Sequence, residues 1–508
     1  MSEAHPPAKK KQKKRKRPDP RLPRGFRDLP PGDLVLRREM IRRVCEVYER
    51  YGFTPLETPA VEYVETLGKF LPEADQPDGG IFAWRYDDGE WVALRYDLTA
   101  PLSRYVAKNF QELGMPFRRY QTGPVWRLEK PEPGRYREFV QLDIDIVGAG
   151  SVLADAEVID VLAHAMEALE IPRGSYLVCV NHRRVLNGLL ERAAVPPEKT
   201  LPVLRALDKL DRLGLDGVRA LLGPGRRDQG SAAGEGDFTP GADLAPEQIE
   251  TLLAFLAAPA EGRRGYLEAV RPLVEGTPDG DAGLAELAEL DAILDERGLG
   301  TDRVVFNPTV VRGLGYYTGA VVEVVLTFEV EEGAERRRFG SVAGGGRYDD
   351  LIARFTGQKV PATGASIGVD RLLAALKALG KVETDTAGKV PVLVTTMDRS
   401  LRREYQAWAD ELRAAGIATE LYCGSGNVGK QFKYADRRGF TVAVVAGGDE
   451  MSRGEVSLKD LRLGKELSRS EELAADRKQW LEQLPGQFSV PRERLVDGVR
   501  EVLARYGR

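Results

Sequence analysis

The chain has 508 residues, 42% hydrophobic and 30% charged, with a formal net charge of -4. That length exceeds what one core supports, so two to four domains are expected. No stretch approaches 18 uninterrupted apolar residues and the basic N-terminus lacks an apolar segment behind it, which argues against membrane spanning and Sec-type export and makes the cytoplasm the expected location.

Residues 9–17, KKKQKKRKR, carry eight positive charges, so the rest of the chain sums to -4 minus 8, about -12. A body this acidic repels phosphate, and any nucleic-acid contact falls to local basic patches. Residues 1–20 read as a disordered arm serving solubility or nonspecific RNA binding. Asp33 is an N-cap candidate; Leu36, Met40, Val44, Val47 and Tyr51 then mark a helical face that Gly52 terminates. Cys45, Cys179 and Cys423 follow no ligand spacing, and His5, His164 and His182 form no pair, so reduced thiols, structural histidines and no metal centre are expected.

Strands are expected at WVALR (91–95), FRRYQ (117–121) and PVWRL (124–128). In GRYREFVQLDIDIVG (134–148) strict alternation puts Val140, Leu142, Ile144 and Ile146 on one face and Gln141, Asp143 and Asp145 on the other. Gln141 and Asp145 then lie roughly 13 Å apart, at about 3.3 Å per residue, enough to bracket a small two-part ligand. The plain alternative is a solvated polar face. Arg127, Glu129, Arg135 and Arg137 precede this strand in WRLEKPEPGRYRE, a hairpin whose guanidinium groups suit phosphates.

From about 151 to 300 the chain is rich in Ala, Leu and Glu, a helical insertion interrupted by GRRDQGSAAGEGDFTPGADLAPEQ. Strands resume at RVVF, TVV and GAVVEVVLTF. Between the last two, VVRGLGYYTG (310–319) sets Arg312, Tyr316 and Tyr317 in an apolar, glycine-punctuated run. Either these residues belong to a site in which the arginine meets an anion, or the arginine snorkels to the surface beside two core tyrosines. FGSVAGGGRYDDL reads as a strand edge with a glycine-rich turn at 344–346, and ASIGVDRLLAALKALG as an apolar helix carrying Arg371. No strand is followed by GxGxxG or GxxxxGK[ST], and the hairpins do not suit a Rossmann sheet.

Beyond the linker KVETDTAGK the pattern is β-α-β-α-β, a small separate α/β domain. Its second helix, in NVGKQFKYADRRG, carries Lys430, Lys433, Arg437 and Arg438. This basic face fits a phosphate backbone, or is simply solvated.

These segments, in order, resemble the histidyl-tRNA synthetases, a class II aminoacyl-tRNA synthetase family, from about Arg21 to at least Lys465. YGFTPLETPAVE is similar to motif 1, with Pro59 at the motif proline. LRYDLTAPLSRY resembles the amino-acid-binding loop, WRLEKPEPGRYREF motif 2, VRGLGYYTG the histidine signature, and GASIGVDR motif 3. The resemblance implies an α+β fold: a class II antiparallel-sheet core in two parts (21–180 and 301–380), a helical insertion (181–300), and a C-terminal α/β anticodon-binding domain (389–508).

It further implies that Asp97, Thr99, Gln141, Asp145, Tyr316, Tyr317 and Tyr348 line a histidine site. Arg127 would hold the α-phosphate and Arg312 would lie against it on the side where other class II enzymes place a metal; the two form the catalytic pair and also belong to the histidine site. Glu129 would meet the adenine amino group, and Phe139 and Arg371 would sandwich the ring. Arg135, Lys430, Lys433 and Arg437 would bind tRNA. The implied reaction is ATP-dependent activation of histidine and its transfer to tRNA(His), with magnesium accompanying ATP, in a homodimer without membrane contact. The family signature more commonly reads RGLDYY; Gly315 stands here where that acid would be, and Asp143 is available to offset its loss.

Three other readings have discriminators. A regulatory subunit of ATP phosphoribosyltransferase shares the catalytic fold but lacks the C-terminal domain. A pure RNA-binding protein leaves Arg312, Tyr316 and Tyr317 without a reason. A glycine, threonine or proline enzyme of the same subgroup shares motifs 2 and 3 but not RGLGYYTG.

Overall fold

The alternating segment is the centre of a large sheet. In the computed structural model, Phe117–Trp126 (β2) and Glu138–Val147 (β3) form an antiparallel hairpin, Trp126 paired with Glu138 and Phe117 with Val147. The structure describes residues 18–68, 70–71, 76–77, 79–131, 135–227, 238–258, 261–313, 316–332, 335–338, 340–379, 391–464 and 486–507. The basic run at 9–17, the interdomain linker and part of the Gly-rich insertion loop lie outside them.

Thr54–Pro55 (β1) pairs parallel with β2 at one edge. On the other side of β3 come Ala362–Gly368 (β8), Ala343–Arg347 (β7), Ala320–Leu326 (β6), Tyr176–His182 (β4) and Val304–Phe306 (β5), giving the order β1-β2-β3-β8-β7-β6-β4-β5. All neighbours are antiparallel except β1 with β2 and β5 with β4. The two expected strands at 117–121 and 124–128 are therefore one continuous strand. Pro124 is tolerated inside it because β1 pairs only with Arg119 and Tyr120, so the missing N–H at 124 faces no ladder partner.

Val152–Ala168 (α3), which Ser151 caps through a bond from the Leu153 N–H, and Val369–Ala378 (α10) pack on the sheet. Pro31–Arg50 (α1) buries Met40, Val44, Val47 and Tyr48, and Gly52 follows at a φ of +79°, close to the expected stop. Thr99–Lys108 (α2) starts where Asp97 Oδ1 accepts the N–H groups of Thr99 and Ala100. Between β4 and β5 come Arg183–Arg192 (α4), Thr200–Leu207 (α5), Leu210–Leu222 (α6), Pro246–Leu256 (α7), Gly262–Val274 (α8) and Pro278–Glu296 (α9).

The glycine-rich turn expected at 344–346 is a correction: these glycines form the middle of β7, paired on both sides. Three residues without side chains leave space above the strand for side chains from elsewhere.

The chain divides into two compact units, Met1–Asp28 with Arg37–Leu379, and Leu29–Leu36 with Gly380–Arg508. In the second, Val392–Val394 (β9), Thr419–Leu421 (β10), Val442–Val445 (β11), Glu455–Asp460 (β12) and Gln487–Pro491 (β13) form a sheet ordered β10-β9-β11-β12-β13. Its first three strands are parallel, as the β-α-β-α-β pattern requires. Arg402–Ala414 (α11), Val428–Arg438 (α12) and Leu495–Ala504 (α13) complete it. Tyr405, Trp408, Leu412, Val499 and Val502 share its core with the strands. No helix of the described residues is long and apolar enough to cross a membrane.

Candidate active site

The polar face of β3 is buried. Gln141, Asp143 and Asp145 are 8%, 2% and 2% exposed, so the solvated alternative is excluded. They form the floor of a cavity of about 520 Å³, which Asp97, just before α2, and Thr99, its first residue, also line. Burying several carboxylates is costly without a counter-charge. That charge comes from Arg119, itself fully buried on β2 directly opposite Asp145, 2.7 Å from its Oδ2. Arg119 also donates to the Leu98 carbonyl, and the Tyr348 hydroxyl donates to Asp145 Oδ1.

One guanidinium does not neutralise the whole floor. Burial pushes the Asp143 carboxyl up to about 7 and that of Asp145 up to about 6, against the opposing pull of Arg119. Burial raises Asp97 as well, opposed by the two backbone N–H groups it accepts. Gln141 Oε1 and Asp143 Oδ1 are buried acceptors without a hydrogen-bond partner among the described residues. A donor-rich ligand would satisfy them.

The walls carry opposite charge. Arg127, Arg312 and Arg371 line this same cavity. Each is held by the protein: Arg127 Nε donates to the Tyr96 carbonyl at 3.0 Å, Arg312 Nη2 pairs with Glu323 at 3.1 Å, and Arg371 Nη1 donates to the Ser341 carbonyl at 2.7 Å. The Arg127 guanidinium sits 5.2 Å over the Phe139 ring. β7 makes room for Arg312, because a Cβ on Gly344 would stand 2.8 Å from its Nη1. Gly346 does the same for the Tyr317 ring.

Tyr316, Tyr317 and Tyr348 form an aromatic wall, with centroids 5.1 Å apart for the first two and 5.7 Å between Tyr316 and Tyr348. Burial raises all three phenols, so they act as neutral hydroxyls. Gly313, at a φ of +64°, turns the chain back over Tyr317. Gly315 and Leu314 lie outside the described residues.

Every residue expected to meet histidine or ATP, namely Asp97, Thr99, Arg127, Glu129, Phe139, Gln141, Asp145, Arg312, Tyr316, Tyr317, Tyr348 and Arg371, lines this cavity. Arg135, expected to meet tRNA, also lines it and is ion-paired with Glu129 at 3.0 Å. Lys430, Lys433 and Arg437 lie on α12 of the second unit, exposed on a helix capped by Asn427. Sequence reading missed Arg119 and Glu323, which lie in segments it took simply as strands. Glu323 could have been found as a single charge in an otherwise apolar strand, whereas Arg119, beside Arg118, gave no such signal.

A family model described as "Histidyl-tRNA synthetase" matches residues 25–372, and one described as "Anticodon binding domain" matches 389–477. The chain is 52% identical over 504 residues, covering 97% of itself and 100% of the relative, to a protein named histidine–tRNA ligase from Cereibacter sphaeroides. It is 48% identical over 490 residues to one of the same name from Caulobacter vibrioides, with 96% and 97% covered. Among solved structures it resembles histidyl-tRNA synthetase from Nostoc sp. PCC 7120, with a TM-score of 0.71, 28% identity, and 96% and 100% of the two chains covered. It also resembles a Bacillus halodurans protein titled as an ATP phosphoribosyltransferase regulatory subunit/histidyl-tRNA synthetase, with a TM-score of 0.63, 25% identity, and 82% and 97% covered. With a cavity that joins buried acids to arginines, and matches spanning both units, the chain belongs to the histidyl-tRNA synthetase family.

Proposed function

We propose that this chain activates histidine with ATP, releasing pyrophosphate and forming histidyl-adenylate, and then transfers the histidyl group to the 3′ end of tRNA(His). One observation carries the reading: Arg127 and Arg312 line one hollow with the acids and tyrosines beneath them. In the first step the histidine carboxylate attacks the α-phosphorus, so two anions meet and the pentacoordinate centre gains negative charge. Two guanidinium groups fixed before substrate arrives supply positive potential for that charge. The carboxylate is already a competent nucleophile, so positioning supplies the rest and no general base is required.

Asp97 and Gln141 hold the substrate ammonium, with Thr99 beside them, while Asp145 and the three tyrosines enclose the imidazole. Glu129 takes the adenine amino group, and Phe139 and Arg371 take its faces. Magnesium enters with ATP as part of that substrate. Arg135 and the α12 cations Lys430, Lys433 and Arg437 meet tRNA. Residues 21–180 and 301–380 serve as the catalytic domain, 181–300 as its insertion and 389–508 as the anticodon-binding module. The enzyme works as a homodimer in the cytoplasm.

The regulatory-subunit reading is not favoured, because the second unit matches an anticodon-binding domain and the curated relatives above are named as ligases over nearly the whole chain. The test is amino-acid-dependent exchange of labelled pyrophosphate into ATP, run with histidine, glycine, threonine and proline. Exchange with histidine alone is expected; none with any amino acid overturns the proposal.

A further inference from the structure

We infer that Asp143 is a specificity-determining residue: its Oδ1 accepts a ring N–H of the substrate imidazole and favours the ring in its protonated, imidazolium form. The inference rests on histidine being the substrate and assigns a residue to the discrimination of its ring.

The argument begins with charge. Asp143 and Asp145 lie on the same face of β3, both 2% exposed, with Arg119 opposite Asp145 and Ser366 opposite Asp143 in the neighbouring strands. Asp145 is provided for: the Tyr348 hydroxyl meets its Oδ1 and Arg119 lies 2.7 Å from its Oδ2. Asp97 spends its Oδ1 on the N–H groups of Thr99 and Ala100. Asp143 lines the same cavity, and its Oδ1 is buried with no hydrogen-bond partner in good geometry among the described residues; the Ser366 hydroxyl across in β8 acts on this carboxyl and lowers its proton affinity, but burial outweighs that pull.

The other charged or titratable groups that influence Asp143 do not remove the surplus. Arg95 sends Nη1 to the Thr58 carbonyl at 2.6 Å and Nε to the Pro124 carbonyl at 3.0 Å. Tyr48 and Tyr317 are buried phenols, neutral where the enzyme works, and Asp97 and Asp145 add negative charge. Arg119 is thus one cation between two carboxylates. Asp143 holds its proton up to about 7, because burial outweighs Arg119. Free imidazole side chains titrate near 6.5, so a proton is shared between partners of similar affinity at neutral pH. A histidine ring that enters carrying that proton directs it as an N–H at the carboxylate, and the ion pair so formed favours the charged state of both partners. Bonds of this kind between charged partners are roughly twice as strong as neutral ones. A ring that resists protonation leaves the surplus charge unmet.

The test uses Asp143→Asn in the full-length protein, assayed by pyrophosphate exchange with histidine and with triazolylalanine, an analogue whose ring protonates only in strong acid. A lost hydrogen bond to a charged group corresponds to a rise in histidine KM of roughly 10- to 100-fold. Triazolylalanine KM should move by less than about threefold and ATP KM should stay constant, so preference for histidine narrows at least about threefold. A preference ratio equal to wild type, or a parallel rise for both amino acids, overturns the assignment. Should the asparagine variant not fold, Asp143→Gly with and without added formate replaces it. Formate restoring histidine use more than triazolylalanine use is expected, and equal or no restoration counts against Asp143. Wild-type protein silent with histidine would instead remove the substrate reading beneath the inference, a separate outcome.

Discussion

Gly344→Ala isolates the placement of Arg312 from its presence. The new Cβ would stand 2.8 Å from Arg312 Nη1 and 3.5 Å from the Val322 carbonyl oxygen, the second an ordinary contact and the first not. Restoring a normal separation moves the guanidinium by roughly 1 Å, and displacements of that size at a reacting centre cost about 100-fold in rate, or ~2.7 kcal/mol of barrier. The fold should not suffer. Gly344 lies in a strand interior, where alanine is favoured over glycine by roughly 0.5–1 kcal/mol, and the Arg312 side chain, 39% exposed and tethered to Glu323, has room to yield. The assay is histidine-dependent pyrophosphate exchange beside a thermal melt. We expect kcat about 100-fold down, histidine KM within about threefold and an unchanged or higher melting midpoint. Adding Gly344→Ala to Arg312→Ala should cost nothing further, since the group being displaced is gone. Activity of the single variant within a factor of two of wild type, or full additivity in the double variant, would refute the claim that this glycine serves the arginine.

Arg312→Ala alone should leave histidine binding measurable by calorimetry while cutting adenylate formation on the order of 10³-fold, as for loss of a preorganised donor to a developing anion; near-intact turnover would remove Arg312 from the chemistry. Replacing Lys430 and Lys433 with alanine should weaken tRNA charging and reduce its salt dependence while sparing pyrophosphate exchange, because those cations lie on α12 of the second unit. Equal loss in both assays would contradict a separate tRNA-binding module. Asp143 and Asp145 hold protons more tightly folded than unfolded, up to about 7 and 6 against an ordinary 3.8. Their contribution to stability is therefore full below about pH 4 and is lost as pH rises toward 7. Urea denaturation of the substrate-free protein at a series of pH values should show a shallower decline for Asp143→Asn than for wild type; identical slopes would mean that Asp143 does not carry the proton.

Local rules reached some of this site and stopped at others for identifiable reasons. Alternation alone placed Gln141, Asp143 and Asp145 on one face, because a strand offers only two faces and the intervening residues are all apolar. It did not say that both faces are buried. That follows from helices packing on the sheet and from the cavity on the polar side, which are long-range facts. Arg118 and Arg119 show the gap most sharply. They are neighbours with the same side chain, yet Arg118 binds Glu157 of α3 at the half-exposed margin, while Arg119 turns to Asp145 and is fully buried. Alternation requires that they part; only the β2–β3 register, Arg119 opposite Asp145, decides which one enters the site. The glycines 344–346 were ambiguous in the same way, since a turn and a strand cleared for other side chains read identically until Arg312 and Tyr317 are seen to fill the space. Both unread features serve charge: Arg119 sets how much negative potential the floor retains, and Gly344 sets where positive potential stands above it. The residue types that name the chemistry were visible in the chain, whereas the residues that fix its electrostatic balance are defined by partners far away in sequence.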